Sequence, residues 1–159
     1  MKNGKFLLWI LAFITGLAEL PQAWAENGNS KDTIFIVAKM NKSMDQALGD
    51  LKQAITNNNY VFIRQQNVDK GLTNPDQENS RVIFVYFCDF SLLNQALKAD
   101  RRVGVYLPCR ITLIQTPDGV TMIALNPKLI SQHLNNQRLA EICEQVTHDI
   151  HQIFEETAL

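Results

Sequence analysis

Glycine is scarce in this chain. Seven glycines are scattered over 159 residues, and no two lie close enough together to build a phosphate-cradling loop. No stretch reads G-x-S-x-G or H-E-x-x-H, which removes the nucleophile elbow and the zinc-protease helix. Histidine is rarer still, with three in the chain. His133, His148 and His151 all fall near the C-terminal end, so a Cys–His nucleophile would need the fold to carry one of them to a distant cysteine. Neither sign of charge is in excess, with 15 Lys and Arg against 16 Asp and Glu. A balanced chain lacks the positive footprint that nucleic acid or an anionic lipid surface would select. Beyond residue 25 no apolar run approaches the ~20 residues that cross a bilayer.

What the first residues do contain is an export signature. Lys2 and Lys5 precede an apolar stretch over 6–18, broken only by Thr15 and Gly16, and Pro21 ends any helix there. Ala23-Trp24-Ala25 is an A-x-A cleavage pattern, and the apolar stretch is too short to serve as a membrane span. The reading is a signal peptide over residues 1–25, cut after Ala25, in a bacterial protein that becomes periplasmic or secreted. Losing Lys2, Lys5 and Glu19 with that segment leaves 13 basic against 15 acidic residues, a net charge of about −2. Residues 26–159 are long enough for one domain with a sizeable core.

Within that domain, apolar periodicity alternates between two and 3.6. Residues 33–40, TIFIVAKM, and 60–68, YVFIRQQNV, read as strands. Between them Ser43 and Gln46 form a capping box, and Met44, Ala47, Leu48, Leu51, Ala54 and Ile55 give the following helix one apolar face. A polar loop with Gly71, Asn74 and Pro75 reaches Ser80 and reads as the mobile part of the domain. Residues 81–87, RVIFVYF, are apolar almost throughout, the pattern of a central strand covered on both faces. A short helix over 90–100 turns Leu92, Leu93, Ala96 and Leu97 inward. Residues 110–115 and 120–125 flank a Thr-Pro-Asp-Gly turn, in which proline presets φ and glycine accepts a positive one. Asn126-Pro127 opens a helical tail, whose residues 137–157 align Leu139, Ile142, Cys143, Val146, Ile150, Ile153 and Phe154. The order β-α-β-β-(α)-β-β-α predicts an α+β domain: a mostly antiparallel sheet with helices packed on one face.

Chemistry must come from few residues. Cys88 follows the third strand and Cys109 precedes the fourth. If those strands are antiparallel neighbours, both sulfurs sit at one end of the sheet. An oxidising compartment would let them join, and closing that loop stabilises the fold by about 3 kcal/mol in the chain-entropy picture. The same pair could instead cycle as a dithiol or hold a soft ion such as Cu(I), with Met40 or Met122 as a thioether ligand. Cys143 falls on the apolar stripe of the last helix, where a thiol behaves as a small hydrophobe. As the odd cysteine of an exported chain, it could also be a free reactive thiol or link two chains. Glu144, His148, His151 and Glu155 recur at intervals of four, three and four, on one face of that helix. Imidazole and carboxylate at such spacing can chelate zinc or copper. They also make an ordinary solvated face, and the sequence offers nothing to orient the rings.

The order of small motifs from the third strand onward resembles the domain of unknown function 302 family: Cys88, Ala96-Leu97, Leu107-Pro108-Cys109, the hairpin, then Asn126-Pro127. The stretch MNKSMDQALGDLKQAITNNNYVFI is similar to the family's first helix and second strand. Cys88-Asp89-Phe90 departs from the Cys-Asn-Pro often found there. The resemblance implies a fold similar to the TATA-binding-protein-like β-α-β4-α arrangement, and it supplies no activity.

Three functional expectations follow. The first is a non-enzymatic module, without a cofactor, that binds a small molecule or a protein between sheet and helices. The second is a thiol redox or soft-metal protein centred on Cys88 and Cys109. The third is an assembly protein that dimerises through its sheet edges.

Overall fold

The computed structural model describes residues 33–68 and 82–159. The segment read as a signal peptide and the polar loop before Ser80 lie outside them. The elements, in chain order, are β1 (Phe35–Met40), α1 (Met44–Asn57), β2 (Val61–Asn67), β3 (Val82–Cys88), α2 (Phe90–Ala99), a 3-10 segment (Arg101–Tyr106), β4 (Cys109–Thr116), β5 (Gly119–Leu125), α3 (Pro127–Leu134) and α4 (Gln137–Ala158). The five strands form one antiparallel sheet in the order β1-β5-β4-β3-β2. This is the α+β layer architecture expected from the sequence. The 3-10 segment and the break that divides the tail into α3 and α4 were not expected. Asn135, in the left-handed region at φ 50°, makes that break.

Strand alternation sends Ile83, Val85 and Phe87 of β3, Ile111 and Leu113 of β4, and Val120, Met122 and Ala124 of β5 to one face. There they meet Met44, Ala47, Leu51, Ala54 and Ile55 of α1 and Ile150, Ile153 and Phe154 of α4. Burying each large side chain contributes ~1.5–3 kcal/mol, so this layer holds the domain together. The helix starts are fixed locally. Ser43 Oγ accepts from Gln46 N at 3.3 Å, while Gln46 Oε1 accepts from Ser43 N at 3.1 Å. Lys42 joins α1 to α4, donating to Asp50 Oδ2 at 2.8 Å and to the Thr157 carbonyl at 2.9 Å.

The expectation that β3 is covered on both faces is corrected. Among the described residues no helix lies on the second face, and its aromatics are shielded by arginine. The Arg64 guanidinium stacks 4.3 Å from the Tyr86 ring, and Arg110 stacks 5.0 Å from that of Phe84. A guanidinium shields a ring from water while staying wet at its own edges, so the strand can be apolar without a second helical layer.

Asn126 explains the Asn-Pro motif. It is 3% exposed, yet every polar group is used. Its N–H donates to the Ile34 carbonyl at 2.8 Å, and Nδ2 donates to the Thr33 carbonyl at 3.1 Å. Oδ1 accepts from Lys128 N at 3.1 Å. One side chain thus caps α3 and fastens the start of β1 to it, while Pro127 fills the first helical position, where no N–H is needed.

Candidate functional site

All three cysteines border one cavity of about 70 Å³ at the end of the sheet, beneath α2 and against α3 and α4. Each arrives by a different route. Phe87 and Cys109 are cross-strand partners, so β4 starts beside the end of β3, and Cys88 is the residue after that pair. Cys88 closes β3 just before the chain turns into α2. Asp89 makes that turn, its Oδ1 accepting from Ser91 N at 2.7 Å and Leu92 N at 2.9 Å. This is what the Cys-Asp-Phe sequence does: Asp89 caps the helix. Leu107-Pro108 is a cis peptide that leads into Cys109. Cys143 comes from α4, whose apolar face crosses the sheet end. The remaining wall is mostly apolar, with Leu92, Ala96, Ile142 and Val146 prominent, and Asp89 and Arg110 border it.

The three thiols are unbonded, with Cys88 and Cys143 buried and Cys109 partly so. Burial pushes the Cys109 thiol up to about 12, and the neighbouring Cys88 and Cys143 sulfurs, as anions, would push it further the same way. Burial takes Cys143 up to about 11, and it raises Cys88, followed by the charge of Asp89. All three are therefore protonated at neutral pH, which makes them poor nucleophiles as they stand. Tyr60 also lines the cavity. It is 5% exposed, packs edge-on against Phe87 with centroids 5.5 Å apart, and donates to Asp149 Oδ2 at 2.9 Å. Burial, then that hydrogen bond, raises its pKa beyond the ordinary tyrosine range.

Sequence reasoning placed Cys88 and Cys109 at one end of neighbouring strands, and they are there. It left Cys143 out of the group, and it missed Tyr60. Asp89, directly before a helical pattern, carried a readable N-cap signal. Met40 and Met122 do not belong to the group. Met122 pairs with Leu113, four residues along β4 from Cys109, or ~13 Å away at strand rise. Met40 pairs with Val120, farther still. Strand alternation puts all of them on the helical face, but at different levels of it.

Glu144, His148, His151 and Glu155 are all exposed on α4, opposite its buried residues. Glu144 is in an ion pair with Lys128 at 3.3 Å. Among the described residues no three of His, Cys, Asp or Glu gather in a geometry that could hold a metal ion. Nor, among the described residues, is any helix long and apolar enough to cross a membrane.

The comparisons agree with this fold. The family model described as "Domain of unknown function DUF302" matches residues 36–157. A crystal structure of an uncharacterized conserved DUF302 protein from Bacillus stearothermophilus is similar at a TM-score of 0.73. The two are 15% identical, and the match covers 79% of this chain and 98% of that one. No curated protein matches.

Proposed function

We propose, from the premise that this chain belongs to the DUF302 family, that it is a non-catalytic binding module of an exported protein, with its ligand site in the thiol-lined cavity. The observation that carries the reading is the convergence of all three cysteines on one apolar cavity between sheet end and helices. A space of about 70 Å³ takes a few heavy atoms. Its apolar wall and protonated sulfurs favour a small, neutral, polarisable occupant over an ion or a large cofactor. The export signature at residues 1–25 supports placing this module outside the cytoplasm.

NMR titration with xenon and dimethyl sulfide tests this. Saturable shifts should cluster at Leu92, Ala96, Ile142 and Val146, and Cys143→Phe, which fills the space, should abolish them. Shifts scattered over the surface, or unchanged by the filling variant, would end the reading.

The convergence of three sulfurs also favours a second reading, capture of a soft ion such as Cu(I). Binding would displace thiol protons, and the three elements would have to close on the ion. Titration with Cu(I) against a chromophoric competitor should then show one site that weakens as pH falls and is lost in Cys109→Ser. Binding without pH dependence would leave only the neutral-ligand reading.

A further inference from the structure

The uncovered sheet face has a charge pattern of its own. Among the described residues no strand contains an aspartate or glutamate; every acidic one lies in a helix, a cap or a turn. The strands contribute Lys39, Arg64 and Arg110 instead. At the Cys109 end of this face the chain between the 3-10 segment and β4 overhangs the sheet. Beneath it is a groove of about 290 Å³. Phe35, Leu107, Ile123 and Leu125 supply apolar surface, and Tyr86 and Tyr106 add phenol rings. Phe35 is 52% exposed on β1, an edge strand of the sheet among the described residues, and offers its ring to the groove.

Among the described residues Arg110 is the only charged one lining the groove. Its guanidinium carbon lies 5.0 Å from the centroid of Phe84, diagonally across the β3–β4 ladder, a cation–π contact that leaves its N–H groups without a carboxylate partner among the described residues. Lys42, Arg102 and Lys128 have carboxylate partners, whereas Arg110 has none among the described residues. An unpaired guanidinium in a groove of mixed apolar and polar lining matches a planar anion with a hydrophobic body, since it binds a carboxylate with two parallel hydrogen bonds. The groove volume is near the lower bound for small-molecule sites, ~300 Å³, and its overhung end limits ligand length. A second copy packed face to face would set arginine against arginine, which the same charge pattern opposes.

We infer that the open sheet face binds a small amphiphilic carboxylate, with the anion on Arg110 and its apolar body over Phe35, Ile123 and Leu125. This site opens on the other face of the sheet from the thiol cavity, although Tyr106, Leu107, Arg110 and Leu125 belong to the wall of both, so Phe35 and Ile123 are the residues that tell the two apart.

The test is calorimetric and NMR titration of the purified chain with 4-phenylbutyrate, 4-phenylbutanamide and 4-phenylbutylamine. The carboxylate should bind saturably and at least tenfold tighter than the amide, weaken with salt, and shift Phe35, Ile123 and Leu125. Arg110→Gln should lose tenfold or more. Phe35→Ala should lose severalfold, and Arg64→Gln, outside the groove, should change affinity less than twofold. Circular dichroism of each variant checks that it is folded. Equal affinity for carboxylate and amide, or an unchanged Arg110→Gln, would overturn the inference. So would shifts confined to Leu92 and Ala96, or binding seen only to phosphatidylglycerol vesicles.

Discussion

Phe87 and Cys109 face each other across the β3–β4 ladder, which leaves Cys88 one step beyond the pair. A cross-strand spacing of ~5 Å with a one-residue offset of ~3.4 Å puts the Cys88 and Cys109 Cα atoms ~6 Å apart, inside disulfide reach. Alternation would normally turn two such side chains to opposite faces. Here β3 ends at Cys88, and both residues border the cavity. Diamide treatment followed by peptide mapping should therefore yield a Cys88–Cys109 link, with Cys143 alkylated only after unfolding. Replacing both by serine should cost the oxidised protein about 3 kcal/mol, the chain-entropy value for such a loop. A Cys109–Cys143 link would defeat the assignment.

Stability in reductant should fall on the alkaline side. Folding raises the Cys109 thiol from an ordinary 9.0 to about 12, and Cys143 to about 11. The folded state thus keeps protons that the unfolded state releases. The stabilisation is intact below pH 9 and is lost as pH rises toward 12. Urea midpoints measured from pH 7 upward should be level and then decline, and Cys109→Ser with Cys143→Ser should flatten the decline. Identical slopes in both proteins would contradict this origin.

Gly119 should tolerate no side chain. It sits at φ 130°, and a Cβ there would collide with the Met40 carbonyl oxygen, where β1 passes the β4–β5 turn. Gly119→Ala should destabilise by about 2 kcal/mol or more, because the backbone must leave its conformation and the neighbouring strand must shift. Chemical denaturation measures it, and a neutral result would mean that β1 can move freely at this end.

Zinc should not bind tightly to the outer face of α4. His148 and His151 are exposed, and neither ring has a hydrogen-bonding partner to orient it among the described residues. Calorimetry should show no sub-micromolar site. A site of that strength that vanished in His148→Ala with His151→Ala would reverse the expectation.

Processing can be read directly. Intact-mass analysis of protein from the host should give a chain that begins at Glu26, as the A-x-A pattern dictates. A full-length chain that retains Met1 in the membrane fraction would count against cleavage.

How much of this was legible depends on the distance over which the cause acts. Alternating apolar residues and local caps specify the elements, and the Asn-Pro and Pro-Asp-Gly signals end or turn them where the structure does. The Cys88–Cys109 neighbourhood was legible because one hairpin-like crossing creates it. Cys143 was not, since its place depends on the angle at which α4 crosses the sheet end, and no short-range pattern encodes that angle. The methionines were misjudged for a related reason: a shared face says nothing about level along the strands. Arg64 and Arg110 were passed over because a charged residue in a strand looks like simple exposure until the aromatic beneath it is seen.

The strand order has a consequence for how such a chain can be made and moved. Among the described residues β1 is the first strand along the chain, yet the strand it pairs with is β5. Phe35 must wait for Leu125, and until β5 is available β1 is an unpaired ribbon with Ile36 and Met40, both buried in the finished domain, uncovered. A chain that emerges from its N-terminus, whether from a ribosome or from a translocation channel, therefore cannot close this sheet early. It stays open and threadable until nearly all of the domain has passed, and then closes from its last strand onto its first.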